Sequence, residues 1–286
     1  MLTARLHKVQ WLSPQGLQQL AYREWGDPDN PHVLLCVHGL TRVSRDFDAL
    51  AQNLGKDVRV VAPDVPGRGQ SDWLADPNLY AIPTYVSAMV ALVARLNPGT
   101  LDWLGTSMGG LIGMGYASLP GNPVRKLILN DVGPSLNFEA LQRIGQYVGK
   151  SPTFDSLEQG REYIKSISVP FGPHTDEQWK QLCDGVLVQK DGQYTTHYDP
   201  KIAHAFQNLS ESTTQMHEAA LWAAYDAITA DTLVVRGEHS DLLSPQTAQA
   251  MGQRGPRARV IEVAGVGHAP TFMQDEQIHI VRKFLF

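Results

Sequence analysis

Residues 105–110 read GTSMGG and directly follow the short apolar run Leu101–Leu104. The run predicts a buried strand, and a helix is predicted to begin after the serine. The pattern Gly-x-Ser-x-Gly between a strand and a helix is typical of a strained turn that holds a nucleophilic serine clear of a sheet. Gly105 and Gly109 suit such a turn because the chain approaches itself too closely there for side chains. Ser107 is therefore the candidate nucleophile.

Buried strands alternate with amphipathic helices on both sides of this turn. Apolar runs of strand length occur at Val33–Val37, Val58–Ala62 and Val124–Asn130. A stripe of apolar residues after Pro83 predicts one of the intervening helices. Such alternation predicts an α/β fold with a mostly parallel sheet that carries helices on both faces. Further strands are expected at Leu6–Leu12, Leu17–Trp25, Thr232–Val235 and Arg259–Val263, and further helices at Pro245–Met251 and Phe272–Phe284.

The alternation of strands and helices stops after Gly133 and resumes after Tyr225. Helical signals continue between them without buried strands, and one is a capping box formed by Thr175 and Gln178. The polar segment Lys190–Asp199 predicts a turn or a ribbon. The expected organisation is one α/β core, residues 1–133 and 226–286, with a helical lid inserted at residues 134–225.

The composition is typical of a folded globular protein. Of the 286 residues, 43% are hydrophobic and 19% are charged. The 24 Lys and Arg residues against 29 Asp and Glu give a net charge of −5, without a basic cluster for nucleic acid or an anionic membrane. Cys36 lies in an apolar run far from Cys183, so we expect free thiols in a reducing compartment, the cytoplasm. The sequence carries no motif for a metal or an organic cofactor.

Residues that could activate a serine nucleophile follow the later strands. His268 lies on a loop of small residues after the last predicted strand, where it can reach Ser107 and act as its general base. A carboxylate must then orient the imidazole and stabilise its cation. Asp241, after the penultimate strand, is the preferred candidate for this acid. Asp131, directly after an earlier strand, is the alternative, and Glu238 is a third candidate.

A turn after the strand Val33–Val37 predicts a second feature of the site. Gly39 lets the chain turn sharply at that point. The backbone N–H of Leu40 can then point at the same spot as the N–H of Met108. Two N–H groups aimed at one oxygen stabilise the charge of a tetrahedral intermediate, so Leu40 and Met108 are predicted to form an oxyanion hole.

Together these segments resemble a known family. The pair His38-Gly39, the run DVPGRGQSD at residues 64–72, the serine turn and Gly267-His268 look like the α/β-hydrolase superfamily, in particular its capped esterase-like members. The resemblance implies the α/β-hydrolase fold, a Ser-His-acid triad and no cofactor. It also implies that residues 134–225 roof the active site as a cap. In relatives the histidine equivalent to His38 steadies the oxyanion loop and is not the general base.

Departures from the family patterns narrow the expected chemistry. Ser107 stands where dehalogenases and epoxide hydrolases of the family carry aspartate. Residues 40–43 read LTRV, without the glycine-rich run that is usual after His-Gly in the C–C hydrolases. We therefore expect a serine carboxylesterase-like enzyme that cleaves a small to medium ester or lactone. C–C cleavage of ring-fission products and a ligand receptor without turnover are the alternatives.

The expected partner is a small-molecule ester, since a helical lid makes an enclosed pocket and not an open groove. Arg42, Arg45 and Arg68 are expected at the surface or as tethers of loops. In a second interpretation, Arg42 meets an acidic group of the substrate beside the oxyanion hole. A homodimer is left open, and neither nucleic acid nor a membrane is an expected partner.

Overall fold

A computed structural model describes residues 2–207 and 210–286. Its strands are β1 (Arg5–Ser13), β2 (Gly16–Trp25), β3 (His32–Val37), β4 (Arg59–Pro63), β5 (Thr100–Thr106), β6 (Val124–Asn130), β7 (Thr153–Phe154), β8 (Leu187–Lys190), β9 (Gln193–Thr196), β10 (Asp231–Gly237) and β11 (Arg259–Val263). Its α-helices are α1 (Asp48–Leu54), α2 (Ile82–Leu96), α3 (Met108–Ala117), α4 (Phe138–Tyr147), α5 (Leu157–Ile167), α6 (Asp176–Asp184), α7 (His204–Gln207), α8 (Glu211–Asp226), α9 (Pro245–Met251) and α10 (Asp275–Leu285). Within these described ranges, no helix has both the length and the apolar character needed to cross a membrane.

Eight of the strands form one sheet in the order β1-β2-β4-β3-β5-β6-β10-β11. β1 and β2 form an antiparallel hairpin, and β2 pairs antiparallel with β4. The remaining described pairs of this sheet are parallel. The expected mostly parallel sheet is confirmed. Because the parallel strands run in one direction, β3, β5, β6, β10 and β11 all end at the same edge of the sheet.

Helices cover both faces of this sheet. Successive side chains of a strand point to opposite faces, and in the central strands the side chains on both faces are apolar and buried. Trp103 of β5 joins one apolar cluster, which contains Leu92 of α2. The next residue, Leu104, joins the other cluster, with Leu50 of α1 and Phe284 of α10. Burial on both faces explains why the central strands are continuous apolar runs in the sequence.

Between β6 and β10 the chain leaves the main sheet, and we call residues 134–225 the insertion. It contains most of α4–α8 and a separate antiparallel sheet in the order β7-β9-β8. β8 and β9 are joined by Asp191 and Gly192, whose φ angles are 51° and 84°. Aspartate and glycine tolerate this left-handed conformation, which is usual in two-residue hairpins. The segment Lys190–Asp199 is thus part of a ribbon, whereas the sequence does not indicate the third strand, β7.

The insertion is hydrogen-bonded to the core beside the end of β9. The N–H of Gly69 donates to the carbonyl oxygen of His197 at 3.1 Å, and the N–H of Asp199 donates to that of Gly67 at 2.8 Å. The hydroxyl of Tyr80 donates to Asp199 Oδ2 at 2.6 Å. These three bonds fix the position of the ribbon relative to the core loop that contains the two glycines.

Candidate active site

Ser107 lies at the turn between β5 and α3. Its backbone has φ 53° and ψ −117°, a conformation that residues with side chains rarely adopt. A Cβ on Gly105 would lie 2.2 Å from the carbonyl oxygen of Gly109, and one on Gly109 would lie 2.0 Å from that of Val37. Both distances are far inside van der Waals contact, so only glycine fits at either position. The structure therefore has the strained turn that the sequence predicts.

His268 joins Ser107 to a buried carboxylate. Its Nε2 lies 2.8 Å from Ser107 Oγ, and its Nδ1 lies 2.6 Å from Asp131 Oδ2. The three residues follow β5, β6 and β11, whose carboxyl ends share one sheet edge. The Asp131 side chain is fully buried, and that of His268 is 14% exposed. This geometry allows the imidazole to accept the serine proton while the carboxylate stabilises the resulting cation.

The preference for Asp241 as the acid is wrong for this geometry. Its carboxylate accepts a hydrogen bond from Arg143, and its side chain is 47% exposed. The alternative candidate, Asp131, is the one beside His268. β6 and β10 are adjacent and parallel, so both aspartates follow strand ends at the same edge of the sheet. Position along the chain therefore does not distinguish them.

The last residue of β10 and the loop after it supply hydrogen-bond donors to Asp131, and they do not supply the carboxylate beside His268. The N–H of Gly237 donates to Asp131 Oδ1 at 2.9 Å, and Ser240 Oγ donates to Oδ2 at 2.6 Å. The third candidate, Glu238, accepts the N–H of Gly265 at 2.8 Å. The contact of Ser240 with Asp131 was not predicted from the sequence. The available signal was a serine hydroxyl in the segment that contains the candidate acids Glu238 and Asp241. These donors satisfy the oxygens of a carboxylate that has no contact with solvent.

Leu40 and Met108 lie in the wall of the same cavity as Ser107. A Cβ on Gly39 would lie 3.8 Å from the Cβ of Ser107, so the turn after β3 rests against the serine. This placement agrees with the predicted oxyanion hole, whose role in stabilising charge stays a prediction.

His38 holds this turn in place. Its Nε2 accepts the N–H of Val65 at 2.9 Å, so Nδ1 carries the proton and donates to the carbonyl oxygen of Gly39 at 2.7 Å. Burial lowers the pKa of His38 to about 4, which keeps the ring neutral. Both ring nitrogens of His38 are hydrogen-bonded to the backbone, so neither is available to accept the proton of Ser107.

Arg68 contacts both residues of the predicted oxyanion hole. Its side chain is fully buried, Nε donates to the carbonyl oxygen of Leu40 at 2.8 Å, and Nη2 lies 3.4 Å from Met108 Sδ. Nη1 donates to the hydroxyl of Tyr85 at 2.8 Å, and the ring of Tyr80 lies 5.8 Å from the guanidinium carbon. These contacts agree with the expectation that Arg68 tethers loops. The alternative expectation, that Arg68 lies at the surface, is wrong because the side chain is buried. An arginine between two glycines gives no sequence sign of burial.

A cavity of about 770 Å³ extends from Ser107 and His268 between the core and the insertion. Its wall is mainly apolar and includes Leu111, Val132, Ile144, Ile164, Phe171 and Leu242. The volume lies within the range of about 300–1,000 Å³ that is usual for small-molecule sites. Besides histidines, the charged residues in its described wall are Arg42 and Arg143, and no Asp or Glu lines it. The cavity therefore suits a mostly apolar ligand that is neutral or anionic.

Arg42 is already paired within the protein. Its Nε and Nη2 donate to the two carboxylate oxygens of Asp46 at 2.8 and 2.7 Å. Nη2 also donates to the carbonyl oxygen of Leu182 at 2.8 Å, and the side chain is 11% exposed. These contacts do not favour the interpretation in which Arg42 meets an acidic substrate group. Arg45 is 38% exposed and pairs with Asp48, as expected of a surface residue.

Neither thiol has the character of a nucleophile. Cys36 and Cys183 are free and buried, and burial raises the pKa of both thiols. A raised pKa leaves little thiolate at neutral pH. In the described part of the chain, no three His, Cys, Asp or Glu residues form a group that could hold a metal ion. The two thiols are therefore weaker candidates for a nucleophile than Ser107.

Comparison with known proteins shows the family to which the chain belongs. A model of the alpha/beta hydrolase family matches residues 34–279. The chain is 52% identical over 284 residues to a 3-hydroxybutyrate-oligomer hydrolase of Cupriavidus necator, which covers 98% of the chain and 97% of that relative. It is 27% identical over 276 residues to an esterase of Mycobacterium tuberculosis, with 91% and 84% covered. The crystal structure of an alpha/beta hydrolase from Novosphingobium aromaticivorans superposes with a TM-score of 0.85 at 35% identity, over 99% of both chains. The chain therefore belongs to the alpha/beta hydrolase family.

Proposed function

We propose that the chain is a serine hydrolase of ester bonds whose substrates are oligomers of 3-hydroxybutyrate. The observation that carries this proposal is the hydrogen-bonded series Ser107, His268 and Asp131 beside an enclosed cavity. The relative at 52% identity, a 3-hydroxybutyrate-oligomer hydrolase, supports ester bonds and provides the substrate class. We further propose that the insertion is a cap, since its residues line the cavity together with those of the core.

The proposed reaction begins when Ser107 Oγ attacks the ester carbonyl carbon and His268 Nε2 takes the serine proton. Backbone N–H groups of Leu40 and Met108 stabilise the oxyanion, and Asp131 stabilises the imidazolium. The C–O bond then breaks, and His268 protonates the leaving alkoxide, which departs as an alcohol. A 3-hydroxybutyryl ester of Ser107 remains. Water gives a proton to His268 as it attacks this ester, the acid is released, and the proton returns to Ser107.

The chemistry of such an oligomer agrees with the cavity. Each unit carries a methyl group, neighbouring units are joined by an ester, and the whole molecule carries one hydroxyl end and one carboxylate end. Apolar walls bury the methyl groups at a gain of roughly 25 cal/mol per Å² of apolar surface. Arg143 and the absence of acidic residues from the described wall are compatible with the single negative charge.

The proposal is tested by a time course on the 3-hydroxybutyrate dimer and on p-nitrophenyl butyrate, with wild type beside Ser107→Ala. We expect sustained release of product from both esters by the wild type. The Ser107→Ala variant should lose about 10⁶-fold in kcat, because the nucleophile is removed. Ser118→Ala, at the other end of α3, is the matched control and should retain wild-type rates.

Each other outcome contradicts a defined part of the proposal. A single burst that stalls would replace the enzyme by a ligand receptor. Turnover of p-nitrophenyl butyrate without turnover of the dimer would leave a serine esterase and overturn the oligomer as substrate. Turnover that survives Ser107→Ala would place the chemistry elsewhere. Failure on both esters with activity on a ring-fission dienoate would favour C–C hydrolysis.

A further inference from the structure

Arg143 of α4 is a charged residue at the edge of the cavity. It lines the cavity wall, and its guanidinium donates to the carboxylate of Asp241, which lies in the loop after β10. The two side chains are 42% and 47% exposed. The pair therefore lies where the cavity meets solvent, and one of its members faces the space that substrate would occupy.

The two cavity arginines differ in how firmly they are held. Arg42 binds both oxygens of Asp46 and a backbone carbonyl, and its side chain is 11% exposed. Arg143 has Asp241 as its ionic partner in the described structure, and both are close to half exposed. An ion pair in that setting is weak, since water screens and solvates both charges. An anion entering the cavity can therefore displace Asp241 from Arg143, whereas it cannot displace Asp46 from Arg42 at similar cost.

We propose that Arg143 binds the free carboxylate of the acid substrate, and that Asp241 occupies the guanidinium when substrate is absent. This inference rests on the proposed function. In any ester of a hydroxyacid oligomer, the acyl part contains the hydroxyl end and the leaving alcohol contains the carboxylate end. Arg143 thus marks the side of the cavity that receives the leaving group. A planar guanidinium can meet both oxygens of that carboxylate at once.

The proposal predicts opposite effects for the two members of the pair. Arg143→Gln should raise KM for the 3-hydroxybutyrate dimer about 3-fold to 5-fold, because the contact of a half-exposed guanidinium with a carboxylate is screened by water. Asp241→Asn should lower KM for the same dimer about 2-fold to 5-fold, because it removes the internal competitor. The methyl ester of the dimer lacks the negative charge, so neither substitution should change its KM by more than about twofold.

A merely structural role gives a different result. If the pair only fastens α4 of the insertion to the core, both substitutions break the same contact. They would then shift KM in the same direction, and equally for the free acid and the methyl ester. That result overturns the proposal. The matched control is Arg254→Gln, an arginine that is 47% exposed, pairs with Asp226 and is not part of the cavity wall. It should leave both KM values unchanged.

A second readout does not depend on the oligomer being the substrate. We expect 3-hydroxybutyrate to inhibit hydrolysis of p-nitrophenyl butyrate competitively, with a Ki that rises about 3-fold to 5-fold in Arg143→Gln. If wild type fails to hydrolyse the dimer but the Ki of 3-hydroxybutyrate still rises in Arg143→Gln, the oligomer assignment fails and the carboxylate site stands. If the dimer is hydrolysed and Arg143→Gln changes neither KM nor Ki, the site fails and the proposed function stands.

Discussion

The carboxylate of Asp131 accepts three hydrogen bonds, from His268 Nδ1, Gly237 N–H and Ser240 Oγ. All three partners donate, so the oxygens of the ionised side chain are matched on every side. An amide at this position would turn an NH₂ group toward donors. It would also leave His268 without an acceptor at Nδ1, and the ring would change to the tautomer that cannot take a proton from Ser107.

We therefore expect Asp131→Asn to lower kcat on p-nitrophenyl butyrate by about 10⁴-fold. KM should change little, because Asp131 is buried behind His268 and does not line the cavity. Steady-state kinetics of the purified variant measure both values.

Glu238→Gln is the matched control for Asp131→Asn. Its side chain accepts the N–H of Gly265, and the amide oxygen of glutamine keeps that bond, so kcat should remain at the wild-type value. Near-normal turnover of Asp131→Asn, with a large loss in Asp241→Asn, would contradict the assignment of the acid.

The sequence predicts that Ser107 and His268 lie together, and the structure places them 2.8 Å apart. The prediction was possible because each residue has a local signal, a glycine-flanked turn and a small-residue loop after a strand. The sequence does not predict which carboxylate contacts His268, because Asp131 and Asp241 both follow neighbouring parallel strands and only the fold of the two loops distinguishes them. It misses the burial of Arg68 for a related reason. The partners of that side chain come from distant segments, and no local pattern records them.

At the scale of elements, a tyrosine of the core makes one of the three hydrogen bonds that hold the ribbon of the insertion. The Tyr80 hydroxyl donates to the carboxylate of Asp199 and accepts the N–H of Leu74 at 2.8 Å. Asp199 is buried, with 2% of its surface exposed. Tyr80→Phe should lower the free energy of unfolding by about 1–3 kcal/mol, because a buried carboxylate loses a donor and a buried N–H loses its acceptor. Urea unfolding followed by fluorescence or circular dichroism measures the change.

Tyr194→Phe provides the comparison for Tyr80→Phe. Tyr194 is a half-buried tyrosine on β9 of the same ribbon, so its hydroxyl can bond to water. Its removal should change the free energy of unfolding by less than about 0.5 kcal/mol. Equal effects of the two substitutions would show that the Tyr80–Asp199 contact does not hold the ribbon.

Element bounds were predictable where local patterns determine them. The predicted strands Val124–Asn130 and Arg259–Val263 and the helix Pro245–Met251 have those bounds in the structure. The last helix begins at Asp275 and not at Phe272 as expected. Phe272 has φ 55°, and its N–H donates to Gln277 Oε1 at 2.7 Å, so the chain turns before the helix starts. Such a turn depends on a side-chain contact that apolar periodicity does not report.

At the scale of the whole molecule, buried His38 links folding to pH. Its pKa falls from an ordinary value of 6.5 to about 4 in the folded protein. Between these pH values His38 binds more protons in the unfolded chain than in the folded protein. Its contribution to the free energy of unfolding is therefore fully present above about pH 6.5, falls as the pH drops toward 4, and is lost below that. The loss from this group is roughly 3 kcal/mol. Burial lowers the pKa of His174 and His197 in the same direction and steepens the fall.

Urea unfolding at a series of pH values between 7.5 and 4.5 measures this slope. Nuclear magnetic resonance of the imidazole protons isolates His38 from the carboxylates that also titrate in acid. A His38 ring that gains its proton above pH 6 in the native protein would contradict the prediction.

The position of Arg68 has a consequence for the mechanical tolerance of the molecule. Leu40 and Met108 come from distant segments, and if each were held only by its own loop, the displacements of the two loops would add. The planar guanidinium group of Arg68 contacts both residues, the carbonyl oxygen of Leu40 and the sulfur of Met108, so one rigid group lies between them. We therefore expect the distance between Leu40 and Met108, the residues of the predicted oxyanion hole, to vary less than it would if each loop were held separately.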